Sequence, residues 1–440
     1  MEPRSTPKRG SPRAVGSGGE ALSGVSCAEG CAGRGYHGGR MAEPVSVNER
    51  TYNAPTRPTV VFTIDGGDPR YLDDALARGV MPSLQGMLSN GGAYHRGRGC
   101  MPSLTNPNNL SIVTGVPPSR HGVPGNHYLD PSGDEVQLTD PAFLRASTIH
   151  SALLKTGARV LMVTAKDKLR RLLGSENVPS ISAERANELR LPAFDVADVT
   201  QLVGRSNPGI YEWDLSHYAM EIGLSVHRRQ PLDLLYVSLT DYVQHKQAPG
   251  GELVDRFFRR FDELLGEYLR EGFLVGITAD HGMNAKPRVI YLEDVLEQAG
   301  VAGYRVVLPI TDPYVVHHGA LGSFAWIHLP DDQIERARHA LARLEGIEEI
   351  YCRAEAAVIY EHPADRIGDL SVSSDAQTAL GKSLAKHDLS GIASGLRSHG
   401  GRHEQIVPII VSQPLTAAFA ARHVAGVSHS ELHDLLLNGV

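Results

Sequence analysis

Thr59-Val-Val-Phe-Thr-Ile-Asp65-Gly-Gly-Asp-Pro69 is the stretch from which the fold of this chain can be read. Thr59 to Ile64 is an unbroken run of β-branched and aromatic residues, without the polar alternation of a half-solvated strand. Such a run marks a strand buried on both faces, as in a parallel sheet covered by helices. It ends in a turn, so Asp65 stands just beyond the carboxyl end of that strand. Four further runs of this kind follow: Arg159–Thr164, Leu232–Leu239, Phe273–Thr278 and Ile406–Val411. Helical patterns separate them, for example Arg256 to Glu271. Strands alternating with helices predict an α/β fold, a mostly parallel sheet with helices on both faces.

Two regions depart from that rhythm. Residues 286–385 contain an alternating strand, Ser323–Leu329, a polar-rich helix from Asp331 to about Leu344, and a strand-like segment from Ile347 to Tyr360. This pattern predicts a small α+β insertion capping the active site, between core segments 51–285 and 386–440. Residues 1–40 hold 10 of the 46 glycines, six Lys/Arg against three Asp/Glu, and no hydrophobic periodicity. They lack the apolar core of a secretory signal, so residues 1–50 read as a disordered extension. Met41 offers an alternative start. Cys27 and Cys31 have no partner pair nearby, and zinc sites need four ligands at set spacings.

The 440 residues are 41% apolar and 21% charged, an ordinary globular composition that can build a large core without disulfides. A formal charge of −7 argues against an electrostatic nucleic-acid binder. No run of about 18 apolar residues is present, so no membrane span is expected. Four cysteines are too few for a disulfide framework and fit a reducing compartment, which makes a cytoplasmic location the expectation.

In open α/β sheets, ligands bind beyond the carboxyl ends of the strands. Asp65 stands there; Asp241 follows Leu232–Leu239 with His245 four residues on; Asp280 and His281 follow Phe273–Thr278. His399 and His403 precede Ile406–Val411. Asp241 and His245, at i,i+4, share one face of a helical turn and can address one ion. Mixed Asp/His donors suit zinc and similar divalent cations. Taken singly, each of these residues reads as a cap, a turn or a solvated surface; the conjunction at successive strand ends points to metal. Met101-Pro-Ser-Leu-Thr-Asn-Pro-Asn-Asn-Leu110 has the turn-formers of a strand-to-helix loop, with a helix expected from Asn108 to Thr114. Thr105 near that helix start is the candidate nucleophile, its alkoxide favoured by the helix dipole and a bound cation; Ser103 is the rival hydroxyl.

The set Asp65, Thr105, Asp241-x-x-x-His245, Asp280-His281 and a late His-Gly resembles the alkaline phosphatase superfamily. Within it, Met101–Asn109, His121-Gly-Val-Pro-Gly-Asn-His-Tyr128, Thr164-Ala-Lys-Asp-Lys168 and Ala279-Asp-His-Gly-Met-Asn-Ala-Lys286 are similar to the phosphonoacetate hydrolases. The resemblance implies an alkaline-phosphatase-like core and two zinc ions per chain. Asp65, Thr105, Asp280 and His281 would hold one, and Asp241, His245 and a late histidine the other. His399 is preferred as that last ligand, because relatives often show His-Gly shortly before the final core strand. His403, closer to Ile406, is the alternative. Asn126 matches an asparagine that contacts a phosphoryl oxygen, and Lys166 and Lys168 match a pair that grips a substrate carboxylate. In extended chain the i,i+2 spacing would put both ammonium groups on one side.

The implied reaction is cleavage of the carbon–phosphorus bond of phosphonoacetate to acetate and phosphate, through a phosphothreonine on Thr105. The partner is then a small phosphonate, not nucleic acid or membrane, with a homodimer left open. Another reading on the same metal site is a phosphodiesterase or nucleotide pyrophosphatase. A sulfatase fits less well, since that branch uses a modified Cys or Ser where Thr105 stands. A non-catalytic binding protein of this fold is the reading from another class.

Overall fold

Each of the five apolar runs becomes a strand of one seven-stranded sheet in the computed structural model, which describes residues 43–310, 321–387, 389 and 395–440. The strands are β1 (Thr59–Thr63), β2 (Ala93–Arg98), β3 (Val160–Thr164), β4 (Ser180–Ser182), β5 (Leu234–Ser238), β6 (Leu274–Thr278) and β7 (Ile406–Val411). Their order across the sheet is β2-β7-β6-β1-β5-β3-β4. From β6 to β4 all neighbours run parallel, while β7 is antiparallel to both β6 and β2.

Successive side chains alternate between the two faces, and each face has its own apolar core. Val60, Phe62 and Ile64 pack with helices Leu215–Arg229 and Glu252–Arg270. Val61 packs on the other side with helices Thr105–Thr114 and Leu432–Asn438. The polar sequence of β2 and the shortness of β4 explain why neither stands out in the sequence: they are the two edges of the sheet.

Strand register sets the position of the site. Thr63 pairs with Thr278 on one side and Ser238 on the other, and Ser238 pairs with Thr164. Four strand ends therefore lie level, and Asp65, Asp280, Asp241 and Lys166 all leave the sheet two or three residues beyond that line.

The strands between residues 288 and 381 belong to sheets of their own. Arg305–Val307, Phe324–His328, Leu370–Ser374 and Ile347–Cys352 form, in that order, a four-stranded antiparallel sheet. Helix Ile334–Leu341 packs on it through Ala337 and Leu341. The expected helix from Asp331 to Leu344 is shorter and opens with a 3-10 turn, Asp331–Gln333. The strand-like segment Ile347–Tyr360 is a strand only to Cys352 and a helix from Arg353 to Ile359. The change comes at Cys352, whose N–H donates to Glu355 Oε2 at 2.8 Å and starts the helix.

The N-terminal boundary also differs from expectation. Val45–Val47 and Arg50–Tyr52 form a hairpin, with Asn48 and Glu49 at positive φ in its turn. Val45, Val47 and Tyr52 are buried in the core, so the extension stops short of residue 50. Residues 1–42, including Cys27, Cys31 and the Met41 start, lie outside the described residues. Among the described residues, no helix is long and apolar enough to cross a membrane.

Candidate metal centre and active site

Two groups of three buried side chains meet at the level strand ends. Asp65, Asp280 and His281 form the first and Asp241, His245 and His399 the second; within each, the donor atoms lie within 4.8 Å of one another. The groups are contiguous, since the His281 and His399 rings stack with centroids 3.6 Å apart at an angle of 7°. Asp65 reaches this position through Gly66, at φ +67°, where a Cβ would lie 3.3 Å from Asp241 Cβ and 3.2 Å from Gln244 Cβ. Glycine is favoured in that backbone, and its lack of a Cβ lets the two turns close together.

The three histidines share one arrangement. His245 Nδ1 faces Arg397 O at 2.8 Å, His281 Nδ1 faces Gly282 O at 2.9 Å, and His399 Nδ1 faces Ser103 O at 2.7 Å. A carbonyl only accepts, so each Nδ1 donates its proton there, and Nε2 is the nitrogen that faces the cluster and could offer a lone pair to a metal ion. This is how proteins orient imidazoles toward a metal. His245 Nε2 lies 2.8 Å and His399 Nε2 4.0 Å from Asp241 Oδ2. His281 Nε2 lies 3.2 Å from Asp65 Oδ1.

The electrostatics also call for cations. Asp65 is 1% exposed, and apart from that ring nitrogen neither carboxylate oxygen has a polar partner. Burial of an unpaired carboxylate is costly, and a divalent cation removes that cost. Burial, and then the Asp65 charge, pushes the Asp280 carboxyl well above the usual range. Burial opposes charge on His281, yet Asp280, Asp65 and Asp241 together raise it to about 9. Asp280 is anchored on both oxygens, Oδ1 by the N–H of His281 at 3.0 Å and Oδ2 by Asn109 Nδ2 at 3.2 Å. Tyr236 OH donates to Asn109 Oδ1 at 2.7 Å, and Thr63 Oγ1 donates to Tyr236 OH at 2.8 Å. The donor types, the vacant oxygens of Asp65 and the three oriented imidazoles fit two metal ions.

Thr105 is the first residue of helix α1 (Thr105–Thr114), three residues earlier than expected; Pro107 falls in the first turn, where its missing N–H costs nothing. Residues 106–114 are all buried, while Thr105 is partly open, with Oγ1 3.5 Å from His281 Nε2. Its rival Ser103 is fully engaged: Oγ donates to Gly401 O at 2.8 Å and its carbonyl holds His399. Asn126 Oδ1 accepts the Asn106 N–H at 3.0 Å, which leaves the amide NH2 as the donor of that side chain. The insertion holds two of these residues by their backbones: Asn126 N–H donates to Pro309 O, and Ser323 N–H to His399 O, both at 2.8 Å.

The structure brings His399 rather than His403 to the second group. His403 is 39% exposed and pairs with Glu348 at 2.8 Å. The two lysines are not on extended chain. Lys166 caps helix Asp167–Leu173 and Lys168 lies in its first turn, so the i,i+2 argument for a shared side does not hold. Lys166 Nζ lies 3.0 Å from Asp241 Oδ1, with its side chain 22% exposed. Lys168 is exposed, close enough to His127 for its charge to lower that imidazole's pKa, after burial. Burial works against the Asp241 charge, but Lys166, His245 and His399 hold its carboxyl well below the usual range.

A family model described as type I phosphodiesterase / nucleotide pyrophosphatase matches residues 59–403. Among solved structures, phosphonoacetate hydrolase from Sinorhizobium meliloti 1021, in complexes with phosphonoacetate and with phosphonoformate, is 40% identical, with a TM-score of 0.83 over 90% of this chain and 98% of that one. Murine ectonucleotide pyrophosphatase / phosphodiesterase 5 shares the fold at 17% identity, TM-score 0.59, over 87% of this chain and 96% of that one. The ectonucleotide pyrophosphatase/phosphodiesterase C27A7.3 of Caenorhabditis elegans is 26% identical over 256 residues, 56% of this chain, and the match spans only 31% of that relative.

Proposed function

The chain belongs to the type I phosphodiesterase / nucleotide pyrophosphatase family, a family of hydrolases, and from that premise we propose that it cleaves the carbon–phosphorus bond of phosphonoacetate to acetate and phosphate. The observation that carries this reading is a half-open hydroxyl, Thr105 Oγ1, at a helix N-terminus against two fused, buried Asp/His triads. Its likeness in nearly full length to a phosphonoacetate hydrolase supports the choice of substrate.

Asp65, Thr105, Asp280 and His281 would hold one zinc ion, and Asp241, His245 and His399 the other. When bound, the two ions neutralise phosphonate oxygens and favour the ionised hydroxyl and water. Thr105 Oγ attacks phosphorus in line with the methylene carbon. The P–O bond forms as the P–C bond breaks, and the carbon keeps the electron pair, delocalises it into the carboxylate and takes a proton from solvent. Asn126 Nδ2 donates to a phosphonate oxygen, and the N-terminus of α1 favours the negative charge gathering there. Water then attacks the phosphothreonine, releasing phosphate and restoring Thr105. The insertion 286–385 acts as the cap, supported by its backbone hold on Asn126 and His399. The unpaired thiols of Cys100 and Cys352 accord with a cytoplasmic role in phosphonate catabolism.

Lys166 stabilises the leaving group. Were Asp241 engaged by a cation, the Lys166 ammonium could turn to the substrate carboxylate, where enolate-like charge would develop, with Lys168 assisting. Lys166→Ala is expected to lower kcat/KM for phosphonoacetate by about 10²-fold or more, the scale of one charge-stabilising donor. Turnover of p-nitrophenyl phosphate, whose leaving group needs no such help, should change several-fold at most. Equal losses on both substrates would remove Lys166 from this role.

Phosphate release from phosphonoacetate, measured with and without a chelator beside p-nitrophenyl phosphate and a phosphodiester, tests the whole reading. Chelator-sensitive release, strongest on phosphonoacetate, is expected. Preferred turnover of the diester would keep the metal site and replace the substrate assignment.

A further inference from the structure

Lys286 and Glu404 form an ion pair at 2.8 Å with both side chains completely buried. Lys286 closes the motif Ala279–Lys286 that carries Asp280 and His281, and Glu404 follows His399 by five residues. The pair stands where the two triads are joined. Glu404 O accepts the N–H of Gly282, next to His281, at 2.7 Å. Glu404 Oε2 accepts the N–H of Gly401, two residues after His399, at 3.0 Å. At the other end of this strap, Lys286 N–H donates to Leu396 O at 2.8 Å, and Asn284–Ala285 pair antiparallel with Arg397–Ser398. Arg397 in turn offers the carbonyl that orients His245.

His399 is thus carried on a short strap tied at both ends to the segment that follows His281. A buried ion pair is a poor source of stability, because desolvation offsets most of its Coulomb attraction and a well-packed apolar pair often does as well or better. What the charged pair supplies here is direction: Glu404 Oε1 accepts from Lys286 Nζ and from Asn284 Nδ2, while Oε2 accepts the Gly401 N–H. We infer that Lys286 and Glu404 are positioning residues that set His399 against His281 and so hold the second metal triad in register with the first. The inference rests on the two-metal reading above.

The test is zinc binding by the metal-stripped full-length chain, in competition with a chromophoric chelator, alongside unfolding midpoints of the metal-free proteins. The wild type is expected to bind two ions. Lys286→Met/Glu404→Leu, an apolar pair of similar volume, should weaken one of the two affinities about 10–100-fold, the usual cost of losing an outer contact, and should also lower the metal-free midpoint, since the Gly401 N–H, Asn284 Nδ2 and Ala376 O each lose a partner. Glu404→Gln preserves shape more closely and should weaken the same single ion. Wild-type affinities for both ions in either folded variant would overturn the inference. Equal weakening of both ions would also overturn it, since that pattern marks a purely structural pair. A wild type that binds no zinc would instead overturn the two-metal reading itself.

Discussion

Thr105→Ala is expected to reduce kcat for phosphonoacetate on the order of 10⁴-fold or more, while the protein still binds two metal ions. Removing a nucleophile eliminates the covalent route, and what remains is the charge stabilisation that the rest of the site provides. The fold should tolerate the change. Thr105 is the one residue of its helix that is not buried, and none of the backbone bonds that seat α1 depends on its hydroxyl. Its neighbours are held independently, Asn106 by Asn126 and Asn109 by Tyr236. Rapid-quench experiments on the wild type should trap phosphate on Thr105, and the variant should trap none. A Thr105→Ala protein with substantial turnover would rule out covalent catalysis and leave direct attack by water.

His399→Ala and His403→Ala are expected to separate sharply. Loss of His399 removes one of three donors from the second triad, so affinity for one metal ion should fall beyond the 10–100-fold typical of an outer contact, with activity falling in parallel. It also leaves the Ser103 carbonyl without its buried donor, which adds a stability cost of about 1–3 kcal/mol. His403→Ala removes one exposed ion pair to Glu348, worth about 0–1 kcal/mol, and should leave metal content and turnover unchanged. Metal analysis of both variants checks this. A His403→Ala protein that loses an ion would reassign the ligand.

Much of the fold was legible because burial on both faces of a strand leaves a mark within five or six consecutive residues. The runs at Thr59, Arg159, Leu232, Phe273 and Ile406 all became strands of the central sheet. Ala93–Arg98 escaped notice because an edge strand is half-solvated and needs no apolar run. Ile347–Tyr360 misled because the strand Ile347–Cys352 runs straight into a helix, whose start is marked only by the Cys352 N–H donating to Glu355. Within the site, the i,i+4 pair Asp241/His245 could be read because helical spacing is local. The relation of Lys166 to Lys168 could not, because their backbone conformation depends on where helix Asp167–Leu173 begins. Lys286 was visible in its motif but carried no role, since its partner Glu404 is 118 residues away.

By itself, then, the sequence determined the α/β class, the strand ends, and the identity of the acidic residues and histidines standing at them. These follow from periodicity and residue chemistry over a few neighbours. Only the tertiary structure decided which late histidine joins Asp241 and His245, which hydroxyl is open, and what ties the two triads together. Those choices turn on contacts such as Ser103 O to His399 Nδ1, 296 residues apart, and such contacts exist only once the sheet has brought its strand ends level.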